Sequence, residues 1–107
     1  MKISVEGRHM AMTAAMKQHA QEKAEKLPRY YDGLRSVNVT LDMEAGLFSV
    51  EIVASGKRKR VFVAHHRGDD MYACVDQCCH KLEEQLRRHK GRVRDRQGPK
   101  RGEGTTQ

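Results

Sequence analysis

At 107 residues, 37% of them hydrophobic and 33% charged, the chain can bury one lean core but not two, which points to a single domain. It has no tryptophan and no apolar run near the ~20 residues of a membrane span. Its opening Met1-Lys2-Ile3-Ser4-Val5-Glu6 lacks the apolar stretch of a secretory signal, so no membrane partner and a cytoplasmic location are expected. A formal net charge of +7 favours polyanionic partners, because each cation placed on a phosphate releases condensed counterions. On charge alone nucleic acid, anionic lipid and acidic proteins all remain open.

Residues 2–6 alternate, with Ile3 and Val5 on one face, and read as a short strand followed by a Gly7-Arg8-His9 loop. Thr13 suits a helix N-cap. Met16, Ala20, Ala24 and Leu27 then recur at helical spacing, and Pro28 ends the helix near Leu27. Tyr30-Tyr31-Asp32-Gly33 carries the chain round. Alternating segments follow at 35–43, 47–54 and 58–66, joined by turn signals at Ala45-Gly46 and Ser55-Gly56-Lys57. Such short connections imply an antiparallel meander.

Asp70 is a good N-cap for a second helix. In that helix Tyr72, Val75, Cys79, Leu82 and Leu86 form an apolar stripe, which weakens at Gly91. From Asp95 onward no apolar residue remains. Residues 1–94 therefore read as the domain and 95–107 as a flexible basic and polar tail. The expected fold is α+β, in the order β-α-β-β-β-α: a four-stranded sheet with two helices packed side by side on one face.

The helix flanks carry the functional signal. Lys81, Gln85, Arg88 and Arg92 form a stripe about 120° from the apolar one. His19, Lys23 and Lys26 share a flank of the first helix, about 90° from its apolar stripe. Side by side, the helices could line a shared positive groove with these flanks. Arg29, Lys90, Arg94 and Arg96 extend the charge, and Lys57-Arg58-Lys59-Arg60 adds a third cluster. Any single cation here could be no more than a solvated face. The set reads as a surface for structured RNA, recognised by shape and phosphate path, with Gln85 able to reach sugar or base edges. Tyr30 or Tyr31 could stack on a base, or close the bottom of the core.

Two segments, Asp70-Met71-Tyr72-Ala73-Cys74-Val75-Asp76 and Lys81-Leu82-Glu83-Glu84-Gln85-Leu86-Arg87-Arg88-His89-Lys90, resemble the ribosome hibernation promoting factor family. Its members are also called ribosomal subunit interface proteins or protein Y. Thr13-x-x-Met16 and the run from Glu22 to Asp32 match as well, and the likeness covers residues 2 to 94. The resemblance implies a β-α-β-β-β-α fold and a factor that binds small-subunit ribosomal RNA in the channel for messenger and transfer RNA. Such a factor silences translation and preserves idle ribosomes in stress or stationary phase. By position, the RNA-binding residues it implies are Lys23, Lys26 and Arg29 on the first helix, and Lys81, Arg88, Lys90, Arg92 and Arg94 on the second and its extension. Gln85 joins them from its place in the basic stripe. Pro28 and Gly91 depart from the family pattern. The length matches a short form, and the free chain is expected to be a monomer.

Other chemistry is weaker. Cys74, Cys78, Cys79 and His80 invite a metal site, but His80 projects roughly 180° from Cys74 and Cys78, so the cysteines read as small core residues and no metal or cofactor is expected. His65 and His66 fall on opposite faces of a strand, so they make no acid–base pair with Asp69 and Asp70. There is no Walker loop and no nucleophile elbow. Neither an enzymatic activity nor a small-molecule substrate is expected.

Overall fold

The computed structural model describes the backbone of residues 1–97 and the side chains of residues 1–91. Its elements are β1 (Lys2–Arg8), α1 (Ala14–Ala24), β2 (Leu34–Glu44), β3 (Leu47–Gly56), β4 (Val61–Gly68) and α2 (Met71–Gln97), with short 3-10 turns at Leu27–Arg29 and Lys57–Lys59. The α+β order β-α-β-β-β-α is as expected.

The four strands lie in sequence order, β1-β2-β3-β4. β1 pairs parallel to β2, with Ile3 opposite Val37 and Val5 opposite Val39. The other two pairings are antiparallel and form the expected meander. Ala45 and Gly46, both at positive φ, make the tight turn between β2 and β3.

Alternation decides which face is covered. Val37, Val39 and Leu41 of β2, Val50, Ile52 and Ala54 of β3, and Phe62 and Ala64 of β4 are all buried beneath the helices. Leu82 and Leu86 of α2 and Leu27 after α1 are fully buried against them. Each such side chain contributes about 1.5–3 kcal/mol by leaving water. α1 packs over β1 and β2, and α2 over β3 and β4, so the helices lie side by side. Because β1 and β4 point the same way and each is followed by a helix that runs back along the sheet, α1 and α2 are parallel. Both run toward the pole where the β3–β4 turn lies; α1 ends there and α2 passes it.

Both expected caps are present. Thr13 Oγ1 accepts from the Met16 amide at 3.1 Å, and Asp70 Oδ1 accepts from the Tyr72 amide at 3.0 Å. Several boundaries differ from the sequence reading. β1 continues through Gly7 and Arg8, because pairing with β2 extends to Arg8 opposite Asp42. α1 stops at Ala24, and Leu27 and Pro28 form a 3-10 turn, whose early position tolerates a residue without an amide proton. β4 starts at Val61, because Lys57–Lys59 are taken up in the turn.

The buried stripe of α2 is Met71, Cys74, Val75, Cys78, Cys79, Leu82, Leu86 and His89. It is shifted away from α1, toward Cys74 and Cys78, and Tyr72 is left exposed. Gly91 does not interrupt the helix, which continues to Gln97 and takes in the first residues of the expected tail. The rest of that tail, residues 98–107, lies outside the described residues, as do the side chains of Arg92, Arg94 and Arg96.

Candidate nucleic-acid interface

The two flanks of α2 have opposite jobs. On the flank over the sheet edge, the Lys81 ammonium donates to the His65 carbonyl at 2.8 Å, and the Gln85 amide donates to the Val63 carbonyl at 2.7 Å. β4 has no strand on its outer side, so these bonds occupy carbonyls that would otherwise stay unpaired. Arg88 lies one turn further along this flank and is exposed. Gln85 therefore spends its amide on the fold and is half-buried.

The opposite flank of α2 faces α1. Asp76 stands there with His19 Nε2 at 2.7 Å and Lys23 Nζ at 3.6 Å, and His19 packs edge-on to Tyr72 with ring centroids 5.3 Å apart. Glu83 follows on the same flank. The groove between the helices is thus a mixed surface with carboxylates from α2. The shared groove that Lys23 and Lys26 would line with Lys81 and Arg88 does not form, because α1 sits on the other side of α2 from the Lys81–Arg88 flank.

The cations converge elsewhere. Parallel helices bring the end of α1 and the Arg87–Lys90 stretch of α2 to one pole, and the β3–β4 turn closes that pole. The turn is tied in by the Lys57 amide, which donates to the Gly33 carbonyl at 3.1 Å. Tyr31 packs edge-on to Phe62 and His89, with centroids 5.9 and 4.8 Å away, so Tyr31 is the tyrosine that closes the core. Its ring covers Gly33, where any β-carbon would collide with it.

Around this aromatic plug stand the exposed side chains of Lys26, Arg29, Lys57, Arg58, Lys59, Arg60, Arg87, Arg88 and Lys90. Arg58 and Lys59 sit in the left-handed region, at φ of 59° and 61°. The partial negative charge at the C-terminus of α1 stabilises the cations that follow it. Lys26, Arg29, Arg88 and Lys90 of the expected set thus share one pole, while Lys23 and Lys81 lie on either side of α2. The backbone at Arg92 and Arg94 continues α2 beyond the pole.

Arg87 was not singled out by periodicity. Its guanidinium lies over the Tyr30 ring at 5.2 Å from the centroid and bonds the Glu84 carboxylate at 2.9 Å. The exposed cations of the hairpin were legible as a charge run, but their meeting with the helix ends depends on strand direction.

The far pole is different in kind. It carries Asp42, Glu44, Asp69 and Asp70, with Arg8 and Arg67 beside them. His9 Nδ1 lies 2.9 Å from Asp42, and that hydrogen bond holds the Asp42 carboxyl below its ordinary range.

The cysteines lie inside the fold, all of them buried free thiols. Cys78 Sγ points at the Val50 carbonyl at 3.5 Å. Burial pushes the thiols of Cys78 and Cys79 up to about 12 and raises Cys74 as well. Among the described residues no group of His, Cys, Asp and Glu is arranged to hold a metal ion. No described helix is long and apolar enough to cross a membrane.

Comparison with known proteins agrees with this architecture. The chain is 31% identical over 97 residues to the ribosome hibernation promoting factor of Azotobacter vinelandii, covering 91% of this chain and 90% of that one. It is 28% identical to the Escherichia coli K12 protein of the same name, covering 88% and 98%. Among solved structures, the N-terminal domain of Thermus thermophilus protein Y superposes with a TM-score of 0.74 at 27% identity, covering 83% of this chain and 99% of that one. A ribosomal subunit interface protein from Coxiella burnetii shares the fold, with a TM-score of 0.78 at 23% identity over 85% of this chain and 99% of that one. The family model described as sigma 54 modulation protein / S30EA ribosomal protein matches residues 3–94, nearly the whole of the described fold, and the chain belongs to that family.

Proposed function

We propose that this protein is a ribosome hibernation factor that sets its basic pole on small-subunit ribosomal RNA, in the channel that messenger and transfer RNA otherwise occupy. It works in the cytoplasm by occupancy, making and breaking no bond, and so silences translation and stabilises idle ribosomes under stress. The observation that carries this reading is the gathering on one pole of exposed cations from the end of α1, from the Lys57–Arg60 turn and from the Arg87–Lys90 stretch of α2. That arrangement suits a folded polyphosphate recognised by its path rather than its sequence. Lys26, Arg29, Arg88 and Lys90 are its central contacts. Lys23, Lys81 and Gln85 stand at its margins, and Arg92 and Arg94 would extend it along α2.

The names of the relatives support the hibernation role. The choice of subunit and channel rests on the charge geometry and on the resemblance. Sedimentation tests both. The protein should pellet with ribosomes and small subunits at low salt and be released as salt rises. Messenger RNA with initiator transfer RNA should displace it, and short duplex RNA should not. Protein left in the supernatant at low salt overturns the reading. Displacement by duplex RNA alone would make it a general double-stranded RNA-binding module instead.

A further inference from the structure

An RNA surface that reads more than phosphates needs a flat group on which an unpaired base can stack. Five aromatic residues, three Tyr and two Phe, are available to supply one. Phe62 is buried and Phe48 is packed against the core. Tyr31 is used in closing the core over Phe62 and His89. The open face of the sheet offers no Tyr or Phe ring, since Phe48 and Phe62 share the parity of the buried residues. Tyr72 is exposed but stands beside Asp70 and Asp76, whose charges repel a phosphate backbone. Tyr30 remains, at the basic pole, with Arg87 over its ring.

We propose that Arg87, seated over Tyr30 and held by Glu84, is the stacking platform for an unpaired nucleobase of the bound RNA. This rests on the RNA-binding reading above and adds a base-contacting site to it. A lone arginine on a helix surface has many rotamers to lose on binding, and fixing them costs affinity. Here the guanidinium is already positioned by the ring at 5.2 Å and by the carboxylate at 2.9 Å. Its side chain nevertheless keeps 57% of its surface exposed. Lys26, Arg29 and Lys90 stand at the same pole to take the phosphates on either side of such a base. A planar guanidinium stacks on a base, whereas an ammonium does not, which separates arginine from lysine at this position.

The test uses the full chain and a short single-stranded RNA carrying one fluorescent purine analogue, whose emission is quenched on stacking. The parent protein should quench it on binding. Arg87→Lys keeps the charge, so the salt dependence of binding should stay, while quenching is lost and affinity falls about fivefold or more. Tyr30→Leu should weaken quenching by loosening the arginine, and the urea melt of Arg87→Lys should match the parent. Quenching by Arg87→Lys equal to the parent's overturns the proposal and leaves Arg87 as a plain charge. Absence of quenching by the parent protein overturns it too. Failure of the parent protein to pellet with ribosomes would sink the hibernation reading alone, because the oligonucleotide result does not depend on ribosomes.

Discussion

At the scale of single residues, charge and conformation trade against each other in the β3–β4 turn. Arg58 and Lys59 occupy the left-handed region, which costs a residue with a β-carbon about 1 kcal/mol. Arg58→Gly should relieve that strain and raise the urea midpoint. It should also lower the slope of log binding constant against log salt by about one, if Arg58 meets a phosphate. A variant that is stabilised with an unchanged slope would show that the turn does not touch RNA. The thiols give a second residue-level expectation. With Cys78 and Cys79 near 12, thiol reagents at pH 8 should label the denatured chain and leave the native one unmodified. Their folded values lie above the ordinary 9.0, so their contribution to stability is complete below pH 9 and is lost as pH rises toward 12. Urea melts across that window should show the decline.

At the scale of elements, the contact of α2 with β4 does more than pack. Gln85 and Lys81 occupy the carbonyls of Val63 and His65 on an edge strand whose Val61 and Val63 side chains are exposed. Gln85→Leu should cost about 0.5–1.5 kcal/mol in urea unfolding. It should also increase concentration-dependent association, measured by light scattering, because an uncovered edge recruits further strands. Unchanged scattering would mean that one side chain is enough to guard the edge.

Element by element, local chemistry was readable and relative placement was less so. Thr13 and Asp70 cap as expected because a cap depends only on neighbours in sequence. Alternation marked the three strands of the meander for the same reason. Tyr72 fell outside the core because helical period sets spacing but leaves the phase of the stripe to whatever the helix packs on. Gly91 stayed helical because glycine costs a helix interior only about 1 kcal/mol against alanine. The basic groove failed on placement too. Which residues share a flank follows from 100° per residue, but which flank faces the neighbouring helix depends on where α1 crosses the sheet. A parallel β1–β2 pair with a right-handed crossover was the signal that bears on it.

At the scale of the whole molecule, the cations are distributed along an axis. Arg88→Ala should lower the salt slope of ribosome binding by about one, because its guanidinium is exposed and among the pole cations. Lys81→Ala should lower it less and destabilise the fold, since the ammonium is already bonded to the His65 carbonyl. Equal slopes for the two variants would remove the pole from its central place. Asp69→Asn, at the far end, should leave the slope unchanged.

Cations gathered around the β3–β4 turn, with carboxylates at the opposite end, give the protein a long-range electric moment as well as a net charge. In the field of a large polyanion such a body turns before it touches, so productive encounters outnumber random collisions. Added salt should therefore slow arrival more than it hastens departure. A stopped-flow series in ionic strength would see the association rate constant fall steeply while the dissociation rate constant moves little.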